Sequence, residues 1–276
     1  MPIVHAIVLG IVQGLSEFLP ISSSGHLLLV PWLMRWDDFG GDVALEKAFD
    51  VALHLGTLVA VVGYFWRDLV TFVRHGVRAA LHRSERATPE GRLAWLFVLG
   101  SIPAAVAGAL GEKTIEKYLG RPVLVALSLI AFGLLLGWAD RMTGKRQVED
   151  LTTREAALIG TAQILALNPG TSRSGITMTA GRFLGFGRDA AARISFLLAV
   201  PVTAGAVAYK GAKLLRDGIP HGFAGPRVVG IVTAGIAGWL AVWGTLRLVR
   251  TRTLLPFVIY RIAAGIFVLA VCVVRR

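Results

Sequence analysis

The sequence predicts an all-α, polytopic membrane protein in which six full transmembrane helices and two re-entrant helical hairpins form an inverted-topology repeat. Three observations lead there. Apolar runs of about 20 residues recur along the chain, long enough to cross a hydrocarbon core of roughly 30 Å as helices. Two further apolar stretches are broken in the middle by proline, serine and glycine. Those two broken stretches match each other at an offset of 150 residues. Composition agrees: of 276 residues 55% are hydrophobic and only 17% charged, with mean hydropathy +0.66. A soluble domain carries about 25% charge.

Taken in order, residues 3–35 are apolar but interrupted by Pro20 and the serines after it. Full spans are expected next at 48–66, 93–111 and 122–139. The second broken stretch, 155–186, is interrupted at Asn168-Pro169-Gly170, and spans follow at 190–209, 228–246 and 254–274. Each half of a broken stretch has about 10 to 17 residues, too short to cross. Proline removes a backbone donor and glycine loosens the chain, so helix does not continue through the breaks. Irregular backbone at membrane depth survives only where protein buries it or a wet cavity adjoins it. Both stretches therefore read as re-entrant hairpins within one integral membrane domain, 1–276.

The match between the breaks pairs Gly10, Gln13, Leu15, Ser22, Ser24 and Gly25 with Gly160, Gln163, Leu165, Ser172, Ser174 and Gly175. Three spans follow each copy, and Tyr64 echoes Tyr209, so repeats are expected at roughly 1–140 and 150–276. One hairpin plus three crossings reverses direction, which inverts the second copy relative to the first. Arg67, Arg74, Arg78, Arg83, Arg86 and Arg92 mark the loop 67–92 as cytoplasmic by the positive-inside rule. Counting crossings from it puts 140–154 and 247–252, also rich in arginine, on the same side and both termini outside. Arg275-Arg276 runs mildly against this. The hairpins then enter from opposite faces and their tips can meet.

The formal charge of +12 would suggest nucleic acid in a soluble protein. Here the arginines sit mainly in loops between apolar runs, where lipid headgroups and topology account for them, and no nucleic-acid partner is expected. The one cysteine, Cys272, excludes an intrachain disulfide and reads as lipid-facing packing. No basic start or small-residue cleavage site precedes Glu17, so the N-terminal stretch is assigned to the mature fold.

The chemistry concentrates at the breaks. Gln13 and Glu17, four residues apart, share a helix face that Pro20 ends. Ser22, Ser23 and Ser24 then supply hydroxyls at the start of the next helix, with Gly25 and His26 following. A helix N-terminus offers free N–H groups to an anion, and imidazole can exchange a proton near neutral pH. The second break, Thr171-Ser172-Arg173-Ser174-Gly175, starts a helix the same way, but Arg173 replaces Ser23 and Leu167 replaces Glu17. A guanidinium clamps phosphate oxygens bidentately. Together the breaks read as one site for a phosphorylated lipid. Glu17 beside phosphate calls for a divalent cation, Mg2+ or Ca2+, with Gln13 as a second ligand.

Plainer readings compete. Serine and glycine clusters also serve close helix packing, and Gln13 could simply bond a neighbouring helix. Glu17 in an apolar segment defaults to function. His54 and Asp50 fit either account. Arg261, inside the last apolar run, reads as substrate-facing or as paired with a buried acid such as Glu17. Arg182, Arg188 and Arg193 read as interfacial charges at the cytoplasmic mouth.

These residues resemble the undecaprenyl-diphosphate phosphatases, also called bacitracin-resistance proteins. The likeness rests on Gly10-Ile-Val-Gln13-Gly-Leu-Ser-Glu17-Phe-Leu-Pro20-Ile-Ser-Ser-Ser-Gly25-His26 and on Pro169-Gly-Thr-Ser-Arg173-Ser-Gly175. Phe196-Leu-Leu-Ala-Val-Pro201 and Pro256-Phe-Val-Ile-Tyr260-Arg261 extend it nearly end to end. The resemblance implies hydrolysis of a polyprenyl diphosphate to the monophosphate on the outer face of the bacterial cytoplasmic membrane. With that would come carrier recycling for peptidoglycan synthesis and bacitracin resistance. It implies Glu17, His26 and Arg173 as essential, a divalent metal, and a serine near the phosphorus, Ser23 first among them. Gln13 is the glutamine form of a motif that also admits glutamate, hence a weaker ligand. Either His26 or Ser23 can be the nucleophile at this stage.

Two other classes compete. Lipid phosphatases of the type 2 acid phosphatase kind share a serine-glycine-histidine and a serine-arginine motif. Their lysine-to-arginine-proline motif should come first, yet Arg121-Pro122 follows His26, and the second histidine is missing. A transporter or flippase of anionic polyprenyl lipids shares the broken-hairpin architecture, and fold does not fix function. Membrane lipids are expected neighbours, and a homodimer is left open.

Overall fold

The computed structural model describes residues 1–82, 88–218 and 224–275, without the side chains of 112–117 and 217. Arg83, Arg86 and Arg276 lie outside the described residues. Every regular element among the described residues is helical, apart from one isolated bridge between Arg146 and Phe186. Eleven α-helices follow in order: α1 Ile3–Phe18, α2 Ser23–Met34, α3 Val43–Tyr64, α4 Trp66–Leu81, α5 Pro89–Leu119, α6 Pro122–Asp140, α7 Thr153–Ala162, α8 Arg173–Phe183, α9 Arg188–Asp217, α10 Ala224–Thr251 and α11 Leu255–Val274.

Each expected span coincides with a helix. Five of these, in α5, α6, α9, α10 and α11, are long and apolar enough to cross a bilayer alone. The sixth, α3, passes only together with α4, from which it is bent by 82°. The expected loop 67–92 is therefore corrected: its first part is α4. Many large apolar side chains face outward, as lipid-facing helices require. The chain is an integral membrane protein.

Both broken stretches break where expected. α1 stops at Phe18 and Leu19 turns extended, as the residue before a proline must. α7 passes into a short 3-10 turn, Gln163–Leu167, before the chain turns at 168–172. α2 and α8 then start alike. Ser22 and Ser172 are their N-caps, with φ of 81° and 74°, a left-handed backbone that serine rarely adopts. Each cap hydroxyl accepts from the N–H three residues on, Gly25 at 3.4 Å and Gly175 at 3.0 Å. The Ser22 hydroxyl also accepts from Gly170 N at 3.0 Å, so the two breaks touch.

Glycine sets the close helix approaches. A Cβ on Gly10 would lie 1.9 Å from Thr233 Oγ1, and one on Gly160 would lie 2.2 Å from Gly100 O. α1 thus presses on α10 and α7 on α5; α10 also holds α3, as α5 holds α9, and α6 packs along α11. At one end of the bundle, Arg188 bonds Asp140, Arg193 and Arg250 share Asp189, and Arg92 reaches Glu149 O. Arg146 joins Glu155, lies over the Phe186 ring and donates to Leu184 O. Arg182, expected as an interfacial charge, is instead buried, donating to the Phe186 and Met142 carbonyls.

Candidate active site at the crossing of the two breaks

Glu17, near the end of α1, is the hub. Its Oε2 accepts from Ser23 Oγ at 2.6 Å and from Gln13 Nε2 at 3.3 Å, and Oε1 accepts from Arg173 Nη2 at 3.2 Å. The helical spacing of four places Gln13 on Glu17's face, and the turn at Pro20 folds α2 back so that Ser23 meets it. Arg173 arrives from the other break and also donates to Ser195 O at 3.1 Å. Glu17 is buried and Arg173 nearly so, and a paired charge is how a carboxylate survives there.

His26 stands one turn beyond Ser23 on α2. Its Nδ1 lies 2.7 Å from Ser22 O; a carbonyl only accepts, so Nδ1 carries the proton. In the neutral ring Nε2 is then the acceptor, and the Tyr260 hydroxyl donates to it at 2.7 Å. The two rings also stack, 5.6 Å apart. Ser23 and Ser24 are the accessible hydroxyls of the cluster, and Ser24 is exposed. Their N–H groups open the helix, so an anion there meets two free donors.

Most of the other residues expected to bind substrate bond or pack against one another at the breaks. Ser22, Thr171, Ser172 and Ser174 are buried. Ser174 donates to Leu19 O at 3.0 Å and lies 3.1 Å from the Ser172 hydroxyl, while Thr171 Oγ1 accepts from Asn168. Gly25 and Gly175 permit close packing: a Cβ would come within 3.2 Å of Gly170 N and 2.9 Å of Arg261 Nη1 respectively. Arg261 is the clearest correction. It is 0% exposed, and its hydrogen bonds run to backbone carbonyls rather than to Glu17. Its guanidinium donates to Leu129 O (3.2 Å), Pro20 O (3.0 Å), Gly170 O (2.8 Å) and Thr171 O (2.9 Å), tying the two breaks to α6.

Two residues join the site that the pattern of the chain did not single out for it. His54 of α3, which like Asp50 fitted either a structural or a functional account, has Nε2 4.0 Å from Glu17 Oε2 and donates from Nδ1 to Asp50 O at 2.8 Å. Tyr260 caps His26; its signal in the sequence was its place in the family-like stretch Pro256-Phe-Val-Ile-Tyr260-Arg261, which gave it no role.

Whether a cation fits depends on the donors present. No three His, Cys, Asp or Glu side chains gather among the described residues, so a cation of the kind such a cluster holds does not fit. One shared with a phosphate does. Gln13 Oε1 is buried without a hydrogen-bond partner among the described residues, beside the Glu17 carboxylate. A carboxylate, an amide oxygen and substrate oxygens suit a magnesium-like ion.

A family model described as bacitracin resistance protein BacA matches residues 6–267. The chain is 49% identical over 272 residues to an undecaprenyl-diphosphatase of Geobacter sulfurreducens, covering 98% of each chain. It is 45% identical over 277 residues to an undecaprenyl-diphosphatase of Moorella thermoacetica, spanning 100% of both. A third, from Chromohalobacter salexigens, is 46% identical over 267 residues, 96% of this chain and 97% of its own.

Proposed function

Because the chain belongs to the bacitracin resistance protein BacA family, we propose that it is a membrane phosphohydrolase that converts undecaprenyl diphosphate to undecaprenyl phosphate and inorganic phosphate. The observation that carries the mechanism is the 2.6 Å bond from Ser23 Oγ to a Glu17 carboxylate that Arg173 also holds. A hydroxyl bonded to a buried carboxylate is an activated nucleophile, and the guanidinium beside it suits phosphate oxygens.

Arg173 bonds Glu17 and a carbonyl at rest; an arriving diphosphate competes for it and frees Glu17 to take a proton. Ser23 Oγ attacks the terminal phosphorus, its proton passes to Glu17, and the bond to the bridging oxygen breaks. That oxygen leaves with the electron pair as part of the lipid monophosphate. Water then attacks the phosphoserine while His26 Nε2 accepts its proton. Ser23 leaves, regains the proton from Glu17, inorganic phosphate departs, and His26 gives its proton to solvent as the Tyr260 hydroxyl returns to Nε2. Arg173 and the helix N-termini stabilise charge throughout, the dominant contribution in phosphoryl transfer. Ser23 is preferred to His26 as nucleophile because its hydroxyl already bonds the Glu17 carboxylate that takes its proton. Glu17 and Gln13 Oε1 would hold a divalent cation, Mg2+ or Ca2+, whose contribution is to neutralise phosphate charge.

The finer architecture belongs to the same reading: six crossings, two re-entrant hairpins, and an inverted repeat. It is supported by the matched caps Ser22 and Ser172, the matched contacts Gly10–α10 and Gly160–α5, and the touching breaks. The arginine-rich end around 140–150, 182–193 and 250 supports a cytoplasmic assignment. The site would then serve substrate from the outer face of the bacterial cytoplasmic membrane.

The test is phosphate release from undecaprenyl diphosphate by purified protein in detergent, with and without EDTA. Ser23→Ala, Glu17→Ala and Arg173→Ala should each lose at least about 10³-fold while staying folded. EDTA should silence the wild type and added Mg2+ or Ca2+ restore it. Hydrolysis at the wild-type rate by those variants overturns the site. Lipid movement across proteoliposomes without hydrolysis would establish a flippase instead.

A further inference from the structure

Helix α4 begins one residue after α3 ends, and the two axes differ by 82°. α3 is the helix that α4 would complete as a span, yet α4 carries Arg67, Asp68, Arg74, His75 and Arg78 within 16 residues. Burying so many charges in hydrocarbon would be costly. Its sides are sharply divided. At 100° per residue, Leu69, Phe72, Gly76 and Ala79 fall on one face, which packs on α5. There Trp95 donates to Gly76 O at 3.0 Å, and the Phe72 and Phe97 rings lie 5.7 Å apart.

Trp66, Val70, Val73, Val77 and Leu81 form a second stripe, spaced four, three, four and four residues apart. They are 54–73% exposed. Fifteen residues at about 1.5 Å each make this stripe roughly 22 Å long. Arg67, Arg74 and Arg78 each follow a stripe residue and so lie about 100° around the helix, at the stripe's edge. All three are exposed and form no ion pair with a described residue; Arg67 lies 5.6 Å over the Trp66 ring.

We propose that α4 lies in the membrane surface, its Trp66–Leu81 stripe in the acyl boundary and Arg67, Arg74 and Arg78 bound to anionic phospholipid headgroups. Covalent continuity identifies the occupant: α4 starts where a lipid-embedded helix ends, so lipid is what its free face meets first. An apolar stripe edged by cations complements an anionic leaflet, as for other interfacial helices. A tryptophan at the entry is the usual interfacial anchor. This assignment is independent of the reaction at Glu17.

The test uses the full chain with Cys272→Ser and one new cysteine, at Val73 or at Thr71 two residues away on nearly the opposite side. Each is spin-labelled in phosphatidylglycerol–phosphatidylcholine vesicles. The label at 73 should be more accessible to oxygen than to a water-soluble nickel chelate, and the label at 71 the reverse. Water access at both positions would overturn the proposal, because α4 then stands off the bilayer. Exclusion of both reagents at 73, with dipolar broadening between labels, would overturn it in favour of a second copy on this face. In a second arm, Arg67→Gln/Arg74→Gln/Arg78→Gln should lower the preference for fluorescent phosphatidylglycerol over phosphatidylcholine, by roughly fivefold per arginine removed. The matching triple lysine variant should keep it. An unchanged preference in the glutamine variant would overturn the headgroup contacts.

Discussion

Arg261→Lys tests the corrected role of the one arginine buried inside the last helix. The guanidinium serves four carbonyls on three sides, with Nε toward Leu129, Nη1 toward Pro20 and Nη2 toward Gly170 and Thr171. Lysine keeps the charge but presents all its protons from one nitrogen. That nitrogen can reach the adjacent Gly170 and Thr171 carbonyls, or the far edge, but not both. Two lost bonds to a charged donor, at about 1.5–3 kcal/mol each, cost ~3–6 kcal/mol. A protein's whole margin is about 5–15 kcal/mol, so the variant should unfold well below the wild type in a detergent melt. Activity measured on the folded fraction should also fall, because Pro20 and Gly170 set how Ser23 and Arg173 meet. A displacement of about 1 Å there is enough for roughly 10²-fold. Normal melting with a raised KM alone would refute the reasoning and return Arg261 to the substrate.

Three further outcomes follow from the same geometry. Tyr260→Phe keeps the ring stack but frees the His26 Nε2 lone pair that takes the water's proton; removing one hydrogen bond of about 0.5–1.5 kcal/mol should speed phosphoserine breakdown roughly 2- to 10-fold and leave its formation alone, so rapid-quench trapping should find less phosphoenzyme at steady state. Gln163 is buried with neither amide atom partnered among the described residues, as is Oε1 of its mate Gln13. Gln163→Leu should therefore melt at or above the wild-type temperature with activity intact, whereas Gln13→Leu should stay folded and lose activity and metal dependence. Glu155, in the first turn of α7 and outside the spanning helices, is held at about 2 by its hydrogen bonds with Arg146. A depressed carboxylate stabilises the fold above its ordinary value, near pH 4.3, and this is lost as pH falls toward 2. Glu155→Gln should flatten that part of the stability profile in pH-scanned melts and leave the neutral-to-alkaline part parallel to wild type.

Legibility in the sequence tracked the kind of physics involved. Spans are composition integrated over about 20 residues, and the breaks are local backbone chemistry of Pro20 and Asn168-Pro169-Gly170, so both could be read directly. Gln13–Glu17 and Ser23–His26 are neighbours on one helix, which spacing also exposes. What stayed hidden is decided between elements. A charge within an apolar run signals that a partner exists, but not whether it is a ligand or a set of carbonyls; Arg261 turned out to be the second. Tyr260 and His54 reach the site only because α11 and α3 pack where they do. α4 did carry a signal, the spacing of Trp66, Val70, Val73, Val77 and Leu81. It was masked by the arginines interleaved with it, which make a long basic segment look like a loop.

The division of labour between the two breaks follows from what each position must satisfy. Ser22 and Ser172 occupy a left-handed backbone and bond the N–H three residues on, so the turn itself demands a small capping residue in both breaks. Gly25 and Gly175 sit where a Cβ would strike the opposite break or Arg261, so packing demands glycine in both. Positions free of those demands are the ones that diverged: Glu17 against Leu167, Ser23 against Arg173, His26 against Ile176. A symmetric pair of either kind would be a poor site. Two carboxylates would repel a diphosphate, and two arginines would leave no base for a hydroxyl. The two turns can stay alike only because the chemistry is confined to the residues the turns do not use.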